Sequence, residues 1–363
     1  MANSVTPSIP TKQRAWTFTR RGPLSETLNL TTDYPTPQPA SLGKNEALVK
    51  VSAVSFNAGQ LILFHLPHLT AKPWIPEAEF AGTIVALGPR DANVDSTEFQ
   101  VGDRVLGARS PGDAYRHNGT LQEYLVVSLP QMAKVPNAIS FADASGFAAC
   151  GCTAVQALRL VGVKSGGKVL ITGGSSGLGS LLVQVAKALV GENGIVVATT
   201  SARNEDLVRS LGADETVDYT KHKSLPAYMI EHHSNLPFDA IFDIVHSEGL
   251  YTSSPAYLTE SGKFLLLGGL KIAKNLNLSG LLGWLFGAFV SQYRPRLLGG
   301  TPRQYQIFTS PFNQKDAEHL LGLVEAGKVR AVIDSRWNFD QAHEAYEKLA
   351  SQRARGKVVI EIE

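Results

Sequence analysis

The chain has 363 residues, 44% of them apolar, and a formal net charge of +2. That is enough apolar sequence for two domains with cores, and too little net charge for a nucleic-acid or membrane field. No run reaches the ~18 apolar residues of a membrane span, and two cysteines without an apolar leader stretch point to a reducing interior, the cytoplasm.

In chain order, residues 1–11 read as a polar tail and 14–19 as a first strand. Tyr34 to Pro39, rich in proline, reads as an extended connector. Residues 46–55 alternate apolar and polar, as a half-buried strand does, and further short strands are expected at 81–87, 102–107 and 119–127. Short strands with glycine turns ahead of any helix–strand alternation indicate a separate β-rich domain. Residues 141–160 read as a helix leading out of it.

The stretch from Lys168 to Leu189 organises the second half of the chain. A short apolar strand, 169–171, runs into a turn crowded with Gly173, Gly174, Gly177 and Gly179. A helix comes next, with Leu178, Leu181, Leu182, Val185, Ala186 and Leu189 at helical spacing. Strand, glycine turn and helix in that order aim backbone N–H groups and a helix dipole at one point, which suits a pyrophosphate. Gly174, Ser175, Ser176, Gly177 and Leu178 are the expected cofactor-binding residues of the turn. Strands at 195–199, 215–219, 238–245 and 263–267, with a helix at 205–211, complete the pattern of a doubly wound parallel sheet. The end of the second strand reads Thr199-Thr200-Ser201-Ala202-Arg203. No acid stands there to take ribose hydroxyls, whereas Ser201 and Arg203 suit a 2′-phosphate. NADPH is therefore the expected cofactor, although Arg203 also reads as an ordinary solvated residue at a helix start. Residues 276–290 form an apolar, glycine-broken segment suited to core packing, a greasy substrate cleft, a dimer contact or a membrane surface. An amphipathic helix at 314–326 and strands at 332–334 and 357–362 end the chain. His232-His233 reads as a helix end.

Several segments in this order resemble one family: Val54-Ser55-Phe56-Asn57, Ile75 to Gly82 (IPEAEFAG), Val101-Gly102-Asp103-Arg104-Val105, Gly151 to Leu158 (GCTAVQAL), the glycine turn, Gly212-Ala213-Asp214 and Arg355-Gly356-Lys357-Val358-Val359. They resemble the medium-chain dehydrogenase/reductase superfamily, in its zinc-free quinone oxidoreductase and enoyl reductase-like branch. The resemblance implies an α/β chain with a GroES-like β-rich catalytic domain, 1–142 completed by 318–363, and a Rossmann domain, 143–317, often dimeric. Zinc-dependent relatives carry ligands near Phe56-Asn57, at Ala78 and at Ala149. Of that set only Glu79 remains, and Cys150, one residue off, is expected to point the wrong way, so no metal is expected. The resemblance places Asn57 in the nicotinamide pocket, with Gln60 where an Asp is usual. Thr153, Tyr219, His246 and Lys357 fall beside the cofactor in that family; a self-bonded helix threonine, a capping or structural histidine and a surface strand-start lysine are the competing readings of Thr153, His246 and Lys357. His68 stands, counting without a gap, where some enoyl reductases carry a Tyr proton donor; a surface-loop histidine is the competing reading.

The turn also fits TGxxxGxG of short-chain reductases, and Tyr219-x-x-x-Lys223 their catalytic pair. That reading fails because ~167 residues precede the turn, and Tyr219 ends a strand rather than lying on a later helix. The implied activity is NADPH-dependent hydride transfer to an activated C=C bond or a quinone, on a hydrophobic small molecule. A trans-acting enoyl reductase for a carrier-bound chain and a non-catalytic nucleotide-binding partner protein are the alternatives.

Overall fold

The computed structural model describes residues 9–65, 72–90, 99–109, 118–268 and 298–363, with isolated positions between 280 and 293. The expected proton donor His68 and most of the apolar segment 276–290 lie outside the described residues.

The N-terminal half is β-rich. β1 (Lys12–Thr17) pairs antiparallel with β2 (Asn29–Pro35). Tyr34 and Pro35, expected in a connector, thus end a strand; edge pairing tolerates a terminal proline that a central strand would not. Next come β3 (Glu46–Phe56), β4 (Glu79–Leu87), β5 (Arg104–Ala108), β6 (Tyr124–Ser128) and β7 (Met132–Lys134). β3 is the hub, bonded to β4 and β6. Its inward residues Ala47, Val49, Val51 and Val54 share a core with Trp16, Phe18, Phe64, Phe80 and Tyr346.

β8 (Lys168–Ile171), β9 (Ile195–Thr200), β10 (Glu215–Asp218), β11 (Phe238–Asp243), β12 (Leu258–Leu266) and β13 (Gln304–Ile307) form the second sheet. It is parallel, in the order β10-β9-β8-β11-β12-β13. Counted from β8 that is 3-2-1-4-5-6, the dinucleotide-binding order, with its switch point between β8 and β11. Every strand expected in this half is present. β13, whose Gln-Tyr-Gln-Ile alternates polar residues at a sheet edge, was not expected. Helix Ala342–Ala350 was not expected either, whereas helix Leu225–His233 ends at the two histidines read as a helix end.

The helix expected over 141–160 is two, Phe141–Ser145 and Ala148–Val161, broken at Gly146-Phe147. The second packs both on β5 and on the glycine-turn helix Gly177–Val190. Helix Gln314–Glu325 likewise touches both halves, and the proposed boundary at 317/318 falls within it. Then β14 (Ile333–Asn338) and β15 (Lys357–Glu361) return to the first sheet, β15 pairing antiparallel with β3. Just before β15, Gly356 donates its N–H to Ser175 O at 2.9 Å and bridges Ser176. The end of the chain thus ties the glycine turn to the β-rich sheet.

Candidate active site

At the carboxyl end of β8 the chain turns through Gly173, at φ +65°, and Ser176 caps helix Gly177–Val190 by accepting from Gly179 N–H at 3.0 Å. The first-turn N–H groups of Gly177 and Leu178 have no carbonyl one turn back within the helix. Ser175, Ser176, Gly177 and Leu178 are half-buried, and Gly174 is buried. A Cβ on Gly179 would stand 2.1 Å from Gly173 O, and one on Gly174 3.0 Å from Ala198 Cβ. These glycines let the turn close tightly enough to leave a cradle for a pyrophosphate, so the residues present fit the dinucleotide. Gly177 has a further reason: its Cβ would meet Lys357 Cδ at 2.6 Å.

Ser175 ties the turn to the end of β9. Its Oγ accepts from Asn204 Nδ2 at 3.0 Å and from Thr200 Oγ1 at 3.3 Å. Ser201, half-buried, and Arg203, exposed, follow on that edge, and Tyr219, 52% exposed, stands at the neighbouring end of β10. The fold therefore brings Ser201, Arg203 and Tyr219 to one edge of the sheet. His246, at φ +54°, lies just past β11 on the same carboxyl side. Thr153 spends its hydroxyl on Ala149 O, one helical turn back, at 2.8 Å.

Beneath the turn lies a closed polar network. Lys357 Nζ is 2.8 Å from Asn57 Oδ1, 2.8 Å from Glu79 Oε1 and 3.4 Å from Cys150 Sγ. An ammonium has three hydrogens, and all three are taken. Glu79, 0% exposed, is satisfied too. Oε1 accepts from Lys357 and, at 2.6 Å, from Asn57 Nδ2. Oε2 accepts from the N–H groups of Ala149 at 2.7 Å and Cys150 at 3.4 Å, in the first turn of helix Ala148–Val161. That helix end favours the negative charge. Burial alone would lower the pKa of Lys357, but the Glu79 carboxylate outweighs it and holds the ammonium protonated. Burial pushes the Cys150 thiol up to about 11, with Lys357 pulling the other way, so Cys150 is a thiol rather than a thiolate at neutral pH.

Cys150 does not point away as expected; its Sγ lies 3.4 Å from Asn57 Oδ1. Asn57 is thereby fixed in one amide orientation, and of these four Asn57 and Cys150 are half-buried while Lys357 and Glu79 are buried. A zinc ion does not fit here. Ala78 and Ala149 offer no side-chain donor, both oxygens of Glu79 are engaged, and among the described residues no cluster of three His, Cys, Asp or Glu side chains could hold a metal.

Sequence reasoning missed Glu77 and Tyr346. Glu77, 1% exposed, accepts from Tyr346 OH at 2.8 Å and from the backbone N–H of Asn57 at 3.2 Å. Nothing in spacing alone could pair residues 269 apart in the chain.

The Alcohol dehydrogenase GroES-like domain family matches residues 43–137, and the Zinc-binding dehydrogenase family matches 211–360. The trans-enoyl reductase poxH of Penicillium oxalicum is 33% identical over 98% of this chain and 99% of its own. The chain belongs to the medium-chain dehydrogenase/reductase superfamily. Within it, the chain groups with the quinone oxidoreductases and enoyl reductases. The 2-methylene-furan-3-one reductase of Solanum lycopersicum is 29% identical over 97% of this chain and 80% of its own. The quinone oxidoreductase of Coxiella burnetii superposes with a TM-score of 0.76 at 25% identity, covering 97% and 99%. As a member of this superfamily the chain is an oxidoreductase with a nicotinamide cofactor. No helix among its described residues is long and apolar enough to cross a membrane.

Proposed function

We propose that the protein is an NADPH-dependent, zinc-independent reductase of activated C=C bonds, acting on a hydrophobic enone or enoyl compound, with quinones as further acceptors. One observation carries this reading: Glu79, Asn57 and Cys150 bind a lysine ammonium below the glycine turn, and Ala78 and Ala149 beside them have no side chain that could ligate a metal. Without a Lewis acid, the acceptor must already be activated, as a C=C bond conjugated to a carbonyl is. The relatives named for trans-enoyl, enone and quinone reduction support the same class.

The nicotinamide supplies the hydride. The protein's own part is to bind and orient. Gly174 to Leu178 hold the pyrophosphate by backbone N–H groups. Ser201 and Arg203 take the 2′-phosphate, Arg203 by charge-assisted hydrogen bonds, with Tyr219 beside them. Thr153 and His246 line the cofactor, and Lys357 acts from beneath the turn by fixing Asn57 rather than by a free N–H. Asn57 is the donor to the substrate. Its Nδ2 gives one hydrogen to Glu79, while the other reaches Ser55 O only at 3.5 Å. That second hydrogen is available to the carbonyl oxygen on which negative charge develops. His68 stays the candidate proton donor.

A second reading is favoured by the name of the Penicillium relative: a trans-acting enoyl reductase whose substrate arrives on a carrier. The test is fluorescence titration with NADPH and NADH, then absorbance at the nicotinamide band with a panel of free enones and quinones. NADPH oxidation by a free enone class supports the main reading. Tight NADPH binding without turnover, recovered by a carrier-bound enoyl chain, moves the reading to the second. Binding without turnover on either leaves a nucleotide-binding protein and sinks both. In Arg203→Gln, the Kd for NADPH is expected to rise about tenfold and that for NADH to stay put, since a tenfold change corresponds to one lost phosphate contact of ~1.4 kcal/mol.

A further inference from the structure

Glu77 sits in the left-handed region, at φ +70°, where a glycine would be at ease and a glutamate is strained. It is also buried, and both its oxygens are used: Oε1 by Tyr346 OH at 2.8 Å, Oε2 by Asn57 N–H at 3.2 Å. A strained, buried, ionisable residue persists only where surrounding structure holds it in place. Here the holding group is Tyr346, itself fully buried, its ring centroid 4.3 Å from that of Phe56, the residue before Asn57, with the two rings tilted by 35°.

We propose that Glu77 is a positioning residue for the reaction, acting with Tyr346 to hold the Asn57 backbone so that the Asn57 amide stays aimed at the substrate oxygen. This rests on Asn57 being the donor to that oxygen. Asn57 is gripped from two directions. Glu79 and Lys357 fix its side chain, and Glu77 fixes its main chain from the loop ahead of β4. Neither grip alone locks the amide, because a side chain held on a shifting backbone still moves its donor. An error of ~1 Å at a donor is enough to cost transition-state stabilisation.

The protonation state of Glu77 adds a readout. Burial raises its pKa to about 8, against the opposing pull of Tyr346 OH, Asn57 N–H and Lys357; Glu79 pushes the same way as burial. Four elements therefore face it: Tyr346 from helix Ala342–Ala350, Asn57 from the end of β3, Lys357 from β15 and Glu79 from β4. Below about pH 8 the carboxyl is protonated, and its O–H then donates across the 2.8 Å contact to the Tyr346 hydroxyl, as a glutamine amide would. Above that pH, a new negative charge stands beside Asn57, opposing the charge that develops on the substrate oxygen.

The experiment compares Glu77→Gly, Glu77→Gln and Tyr346→Phe in the full chain. Glycine accepts φ +70° without strain, so Glu77→Gly removes the carboxyl without demanding a new backbone. Its kcat is expected to fall about tenfold or more, with the Kd for NADPH changed less than about twofold. Glutamine can accept from Asn57 and donate to Tyr346, so Glu77→Gln should restore most of the lost kcat. It should also abolish the decline in kcat above pH 8 expected of the wild type. Tyr346→Phe should fall between the two. Hydrogen exchange at the Asn57 amide gives an arm that needs no substrate: faster in Glu77→Gly, near wild type in Glu77→Gln. Unchanged Asn57 exchange in Glu77→Gly would overturn the proposal, as would an equal loss of kcat in the glycine and glutamine variants. If the wild type reduces no acceptor at all, the functional reading has failed, and the exchange arm still decides whether Glu77 holds Asn57.

Discussion

Lys357 shows how one side chain can replace a metal's structural work without its chemistry. Its stem passes Gly177, whose Cβ would meet Cδ at 2.6 Å, and Gly146, whose Cβ would stand 3.3 Å from Cγ. Its head neutralises Glu79 at 2.8 Å, with side-chain exposures of 6% and 0%. Such a pair adds little net stability compared with an apolar pair of the same shape, because desolvation offsets the attraction. Breaking it from one side is another matter. Lys357→Met leaves Glu79 buried with only neutral donors, and unfolding free energy should drop by about 3–5 kcal/mol. Adding Glu79→Gln removes the stranded charge, so the double variant should recover part of the loss. Urea denaturation of the two single variants and the double variant measures this; strictly additive losses would mean that the two groups do not act as a pair.

At the scale of elements, the glycine turn and β15 work as one unit. Gly356 N–H bonds Ser175 O, so the turn is pinned from below by the strand that carries Lys357. A single Cβ tests how tight the turn is. Gly179→Ala would put a methyl group 2.1 Å from Gly173 O, which is backbone and cannot rotate away. The turn must open, and the Kd for NADPH is expected to rise at least about tenfold while the far-UV spectrum stays native; calorimetric titration reads it. Much of this unit is legible in the sequence. The strand, glycine turn and helix carry local periodicity and composition, and these are enough to give the parallel sheet. The break at Gly146-Phe147 is not legible. Lys357 Cγ packs there, 3.3 Å from where a Gly146 Cβ would stand, and no local pattern records a contact from more than 200 positions away. The same holds for Glu77 with Tyr346, and for the direction of Cys150, which depends on where helix Ala148–Val161 begins.

For the molecule as a whole, the two sheets meet over buried ionisable groups, and this sets a pH dependence of stability. Glu77 has its carboxyl raised to about 8 from an ordinary value near 4.5. The native state therefore holds a proton that the unfolded chain releases between those limits. The stability this contributes is complete below pH 4.5 and is lost as pH rises through 8. Asp243, buried at the end of β11 and bonded by Thr172 and Ser247, is raised by burial and acts with the same sign. Glu215 is lowered, mainly by His233, whose Nε2 stands 3.3 Å from its Oε1, and acts with the opposite sign, losing its contribution as pH falls. A thermal unfolding series from pH 5 to pH 9 on the wild type should thus show Tm declining towards the alkaline end. Glu77→Gln cannot ionise and keeps both hydrogen bonds, so its Tm should decline less, and the stability gap between the two proteins should widen with pH by an amount on the order of a few kcal/mol. If the two curves run parallel instead, Glu77 is ionised throughout, and the decline of kcat above pH 8 must then be sought in another group.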